Sequence, residues 1–115
     1  MKYIIFYMTA VLGTTFISCQ KEVKEVPMAT SCIEDKINNF KLEACDRGAK
    51  VTQYNYQGQN VYVFNPGFCG GGDVIAKIYS ENCEELGTIG GVTGNREVNG
   101  GDFALAQEVG VLWKK

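Results

Sequence analysis

Apolar positions recur with two different periods along this chain. Ile33, Ile37, Phe40 and Ala44 fall on one face of a helix. Ser31-Cys32-Ile33-Glu34 has the form of a capping box and places the helix start at Ser31. Glu34 and Asp35 lie in the first turn and Lys41 near the end, as the helix dipole prefers, and Gly48 suits a C-terminal cap. From Val51 the period falls to two. Thr52, Tyr54 and Tyr56 share one side of a strand over Val51 to Tyr56. A second strand, Asn60 to Phe64, sets Val61 and Val63 against Tyr62 and Phe64, and the short glycine-containing link Gln57-Gly58-Gln59 predicts a hairpin. Asn65-Pro66-Gly67 fits a type II turn. A third strand is expected over Val74 to Tyr79 and a weaker fourth over Glu85 to Ile89. Gly90 to Gly101 reads as the longest irregular loop. Asp102 then caps a short helix through Phe103 to Glu108, and Val111-Leu112-Trp113 forms a final strand or packed tail. The expected class is α+β: an N-terminal helix on an antiparallel sheet of about four strands, with a short C-terminal helix.

The first eighteen residues stand outside this pattern. Lys2 is followed by an apolar run from Tyr3 to Ser18, of a length suited to an export signal and short for a membrane-spanning helix. Ser18 precedes Cys19, and strong polarity begins at Gln20. In this setting Cys19 resembles the lipid-modified first residue of mature bacterial lipoproteins, although Phe16 stands where leucine is commoner. The resemblance implies a lipoprotein signal peptide over residues 1–18, a lipidated tether over 19–30, and a single domain over 31–115. The bland alternative is an ordinary signal peptide cut nearby. Gln20-Lys21-Glu22 resembles the export tag of surface lipoproteins of the Bacteroidota, which implies the outer membrane and display at the cell surface, with the periplasmic face as the alternative.

Composition narrows the function. Removing Lys2 with the signal takes the net charge from −2 to −3, and the cations are scattered among acids, so nucleic acid is not an expected partner. The chain has no histidine, the commonest general base and metal ligand. Ser31 and Ser80 read as a cap and a turn residue, and Glu84 and Glu85 point to opposite faces of a strand. An enzyme is therefore not expected, nor any cofactor or metal. Asp73, Asn95, Asn99 and Asp102 match no calcium-loop spacing.

Four cysteines remain after Cys19, an even number that suits two disulfides in an exported domain. A continuous helix would separate Cys32 from Cys45 by about 20 Å, whereas a disulfide needs Cα atoms within about 7 Å. Following the chain back and forth brings Cys45 to Cys69 at one end of the sheet and Cys32 to Cys83 at the other.

The segments YNYQGQNVYVF and IYSENCEELGTIGGVTG, with Gly101-Asp102-Phe103 and the terminal Leu112-Trp113-Lys114, resemble an uncharacterised domain family of small Bacteroidota lipoproteins. Cys69 stands alone where that family has a double cysteine, and the cysteine usual just before its Gly-Gly loop is missing near Thr88. The family has no assigned activity, so the resemblance implies location and fold. Candidate ligand-binding positions are Tyr54, Tyr56 and Tyr62, which with Phe64 would form an aromatic ledge, and the glycine loop Gly90, Gly91 and Gly94. These suit a non-catalytic interaction module for a protein, peptide or glycan. The competing readings are a structural or accessory envelope protein and an inhibitor of an extracellular enzyme.

Overall fold

The structure, a computed structural model, describes residues 27–70 and 74–115; the signal peptide, Cys19 and most of the tether lie outside them. A helix, α1 (Ser31–Glu43), is followed by β1 (Lys50–Tyr56), β2 (Gln59–Asn65), β3 (Ile75–Ser80) and β4 (Glu85–Gly90). A small hairpin, β5 (Glu97–Val98) and β6 (Gly101–Asp102), leads into one 3-10 turn, Phe103–Leu105, and the last strand, β7 (Gln107–Lys114). Five strands form one antiparallel sheet in the order β4-β3-β2-β1-β7. Among the described residues no helix is long and apolar enough to cross a membrane.

The sheet buries both faces, and the alternation along its strands shows why. On one side Val51, Tyr62 and Phe64 meet Ile33 and Ile37 of α1, with Phe40, Tyr79, Leu112 and Trp113 packed around them. On the other side Tyr56, Val61, Val63, Ala76 and Ile78 are covered by Val98 and Phe103, which belong to the segment between β4 and β7. Even residues of β1 and odd residues of β2 therefore serve one core, and the remaining residues serve the other. The Gly90–Gly101 stretch, expected to be an irregular loop, instead contains a turn at Gly90–Asn95 and the β5–β6 hairpin, whose Val98, together with Phe103, lids one face of the sheet.

Several expectations are corrected. The cap of α1 is Thr30, not Ser31: its hydroxyl accepts from the Ile33 amide at 3.3 Å and donates to the Glu81 carbonyl at 2.8 Å. Threonine is a somewhat weaker cap than serine, and the long-range bond to Glu81 offsets the difference. The helix stops at Glu43, before Gly48, because the Cys45 amide bonds the Pro66 carbonyl at 2.9 Å and draws the chain toward the sheet. The C-terminal helix is reduced to its first turn. Asp102 does cap it, accepting from the Ala104 amide at 2.9 Å, but the residues that follow pair with the open edge of β1. So short a helix gains little on its own, whereas a fifth strand satisfies a whole row of backbone groups. The folded part also begins before Ser31. Met28 donates its amide to the Gln53 side chain at 2.8 Å and accepts from the Tyr62 hydroxyl at 2.8 Å, so Pro27–Thr30 are docked on the sheet and are not free tether.

Two turns lock the lid. Gln57-Gly58 and Asn99-Gly100 both have positive φ at both residues, the type I′ geometry of two-residue hairpins. They meet side by side: the Asn99 side chain donates to Gln57 Oε1 at 3.0 Å and the Gln57 side chain donates to the Asn99 carbonyl at 3.3 Å. Beneath them the buried Tyr56 hydroxyl donates to the Val98 carbonyl at 2.7 Å. A Cβ on Gly101 would stand 2.7 Å from that same hydroxyl, so the closeness of lid and sheet depends on a glycine there.

The disulfides join Cys32 to Cys83 and Cys45 to Cys69, with Cα separations of 6.2 and 5.2 Å. They tie the two ends of α1 to opposite ends of the sheet.

Candidate functional site

The ligand-binding positions singled out from the sequence do not form one surface. Tyr54 and Tyr56 lie under the lid, edge-on to Phe103 at 5.2 and 5.1 Å between ring centroids. Tyr62 is on the opposite face with its hydroxyl on Met28, and Phe64 is buried beside Phe40 at 5.2 Å. Tyr56, Tyr62 and Phe64 are each at most 3% exposed, so the aromatic ledge does not exist; alternation sent its members into two cores. Gly90, Gly91 and Gly94 sit at the sheet end opposite Tyr56, in a turn closed by mutual backbone bonds between Gly90 and Asn95. The Asn95 side chain donates to the Thr88 carbonyl at 2.7 Å, which covers part of the outer edge of β4. Asn95, Asn99 and Asp102 are all engaged in local bonds. Among the described residues no group of acids or cysteines is disposed to hold a metal ion.

The concavity that the fold does build lies elsewhere, between α1 and β3. It is a groove of about 620 Å³ running from the Cys32–Cys83 disulfide at one end to Glu43 and Pro66 at the other. The spacing of Cys32, Lys36, Asn39, Phe40 and Glu43 is that of one helix flank, next to the buried Ile33–Ile37 stripe. The facing wall is the outward set of β3: Ile75, Lys77 and Tyr79. Phe40, Phe64 and Tyr79 line it together. Phe64 meets both Phe40 and Tyr79 edge-on at 5.2 Å, so the aromatic floor is continuous.

Charge over this floor is uneven. The Lys36 ammonium stands 4.1 Å above the Tyr79 ring, a cation–π arrangement. Lys77 is two residues from Tyr79 along the strand, on the same side. Burial raises the pKa of the Tyr79 hydroxyl, Lys77 draws it down, and Glu85 raises it again. Among the described residues, neither Lys36 nor Lys77 forms a salt bridge; Lys115 with Asp46, at 3.0 Å, is the pair found there.

The sequence signal for this site was present in two patterns. One is the i, i+4, i+7, i+8, i+11 set from Cys32 on the helix; the other is the odd-numbered set on β3. Each alone looks like an ordinary half-exposed flank, and only the crossing of α1 over β3 makes them one surface. A smaller hollow of about 430 Å³ occupies the other flank of α1, lined by Pro27, Ile37, Lys41 and Trp113 among others.

The family model for DUF6970, a domain of unknown function, matches residues 38–115. The chain belongs to the DUF6970 family. The match takes in every strand of the fold, while Lys36 and the Thr30 cap precede it. No curated protein and no solved structure matches this DUF6970 chain.

Proposed function

We propose that this DUF6970 chain is an outer-membrane lipoprotein of the Bacteroidota kind, anchored through lipid on Cys19, whose domain is a non-catalytic interaction module displayed at the cell surface. The observation that carries the binding reading is the α1–β3 groove. It is within the volume range of ligand sites, has a mostly aromatic floor with a few polar groups above it, and is braced at one end by a disulfide. The anchoring reading rests on the apolar run before Cys19 and the polar run after it.

A protein or peptide partner is favoured over a glycan, because the tyrosines that would have stacked on sugar rings are split between two buried faces. The inhibitor reading has weaker support, since the glycine-rich stretch is tied down by buried Val98 and by the Gly90–Asn95 turn. Contact with a neighbour in the same membrane is the remaining alternative.

The test has two parts. Cys19→Ala is expected to abolish incorporation of labelled palmitate and release the protein from the membrane fraction; unchanged labelling overturns the anchor. A photo-crosslinking amino acid at Asn39, on the groove rim, is expected to give a discrete adduct in intact cells that external protease removes. The same group at Val111, away from the groove, is expected to give none. Equal adducts at both positions, or none at Asn39, overturn the groove as the binding site. Protection from protease until lysis places the domain on the periplasmic side and overturns surface display.

A further inference from the structure

We infer that the α1–β3 groove takes an acidic peptide segment, seating one large apolar side chain on the Phe40–Phe64–Tyr79 floor and a carboxylate between Lys36 and Lys77. This rests on the reading of the groove as the binding site.

The shape argues for an extended chain. The helix wall runs from Cys32 to Glu43, eleven steps, or about 17 Å at the helical rise. That length accommodates about five residues of extended peptide. An extended chain follows such an open trough along its whole length.

The chemistry argues for acid. Lys36 and Lys77 both line the groove, and among the described residues neither forms a salt bridge; Glu85, across the ladder from Tyr79, is the nearest acid on the strand side. The chain as a whole is acidic, whereas the groove lining holds two lysines, Lys36 and Lys77, against one acid, Glu43, so its small positive excess runs against the average. A carboxylate brought between them gains charge-assisted hydrogen bonds, and complementary charge selects partners more strongly than it raises bare affinity. Glu43 at the far end of the groove gives it polarity and disfavours a second acidic group there.

The test uses the full lipidated protein in a neutral detergent and three fluorescent five-residue peptides with blocked termini. Each has a central phenylalanine, preceded by two glutamates, two glutamines or two lysines. The acidic peptide is expected to bind at least tenfold tighter than the basic one, with the neutral peptide between. The double variant Lys36→Glu with Lys77→Glu is expected to reverse the order, and Lys36→Gln with Lys77→Gln to level it. Lys50→Glu with Lys114→Glu, the same charge change at the outer end of β1 and β7, is expected to leave the order intact. Far-UV circular dichroism confirms folding of each variant, all of whose changed side chains are exposed or half-exposed. Equal binding of the three peptides, or an order that Lys50 and Lys114 control instead, overturns the inference. Absence of peptide binding with the Asn39 adduct still present overturns acid selection alone, whereas loss of both removes the groove reading with it.

Discussion

Phe103 and Leu105 sit two residues apart in the same 3-10 turn, yet the fold gives them opposite roles. Phe103 is 7% exposed and its ring meets Tyr54 and Tyr56; Leu105 is 80% exposed. If the lid is held by that one side chain, Phe103→Ala removes a buried aromatic and leaves a cavity between lid and sheet, at a cost of about 3–5 kcal/mol. Domains of this size hold roughly 5–13 kcal/mol in total, so the change removes a large share of it and lowers Tm by roughly 12 °C or more. Leu105→Ala is expected to stay within about 0.5 kcal/mol of the parent. The assay is guanidinium unfolding with the disulfides intact, followed by circular dichroism and by the fluorescence of the single tryptophan. Trp113 lies on the helix side of the sheet, remote from the lid, and reports whether the two cores melt together. Coincident transitions, shifted strongly by Phe103→Ala and hardly by Leu105→Ala, support one cooperative unit. Equal small shifts for the two variants refute the lid, and a Trp113 transition unmoved by Phe103→Ala refutes the coupling of the faces.

Replacing both Cys32 and Cys83 by alanine is expected to cost about 4 kcal/mol, and replacing Cys45 and Cys69 about 3.5 kcal/mol, from loops of 51 and 24 residues; denaturation midpoints check both. Gly101→Ala drives a methyl group against the Tyr56 hydroxyl and the Gln57 amide, and amide exchange at Val98 is expected to quicken while α1 keeps its protection. Burial is the leading reason that Tyr54, Tyr56, Tyr62 and Tyr79 all have pKa values above the ordinary 10.0. The unfolded chain therefore loses tyrosine protons first, so this stabilisation is complete below pH 10.0 and is lost as pH rises through the folded values. Tyrosinate absorbance is expected to appear together with alkaline unfolding; a simple titration at 10.0 with the fold intact would contradict the burial.

Strong, isolated local signals are legible in the sequence. Ile33 and Ile37 mark the helix stripe, Gly58 marks the first hairpin, and the length of a helix forbids Cys32–Cys45. What escaped was decided by distant contacts. Ser31 is the better intrinsic cap, and Thr30 takes the role because Glu81 supplies a bond to it. Gln107–Glu108 carry no strand signal of their own and join the sheet because β1 offers an open edge. Asn99-Gly100 was a readable hairpin signal, hidden within a run of glycines that looked merely irregular. The tyrosines had the right alternation, but alternation alone does not say that both faces of a sheet will be covered. The groove was the least legible feature, because its walls come from elements more than thirty residues apart and neither wall has an unusual composition.

The last strand lies beside the first. Lys50 pairs with Lys114 across the β1–β7 ladder, so one edge of β1 stays open until nearly the whole chain is available. Such long-range pairing slows folding, since the loop must close before the contacts reward it. For a chain with the export signal proposed over residues 1–18, that delay is useful. If that signal directs export, a nascent polypeptide with β1 still unpaired stays threadable, and the sheet and its two disulfides are completed after translocation.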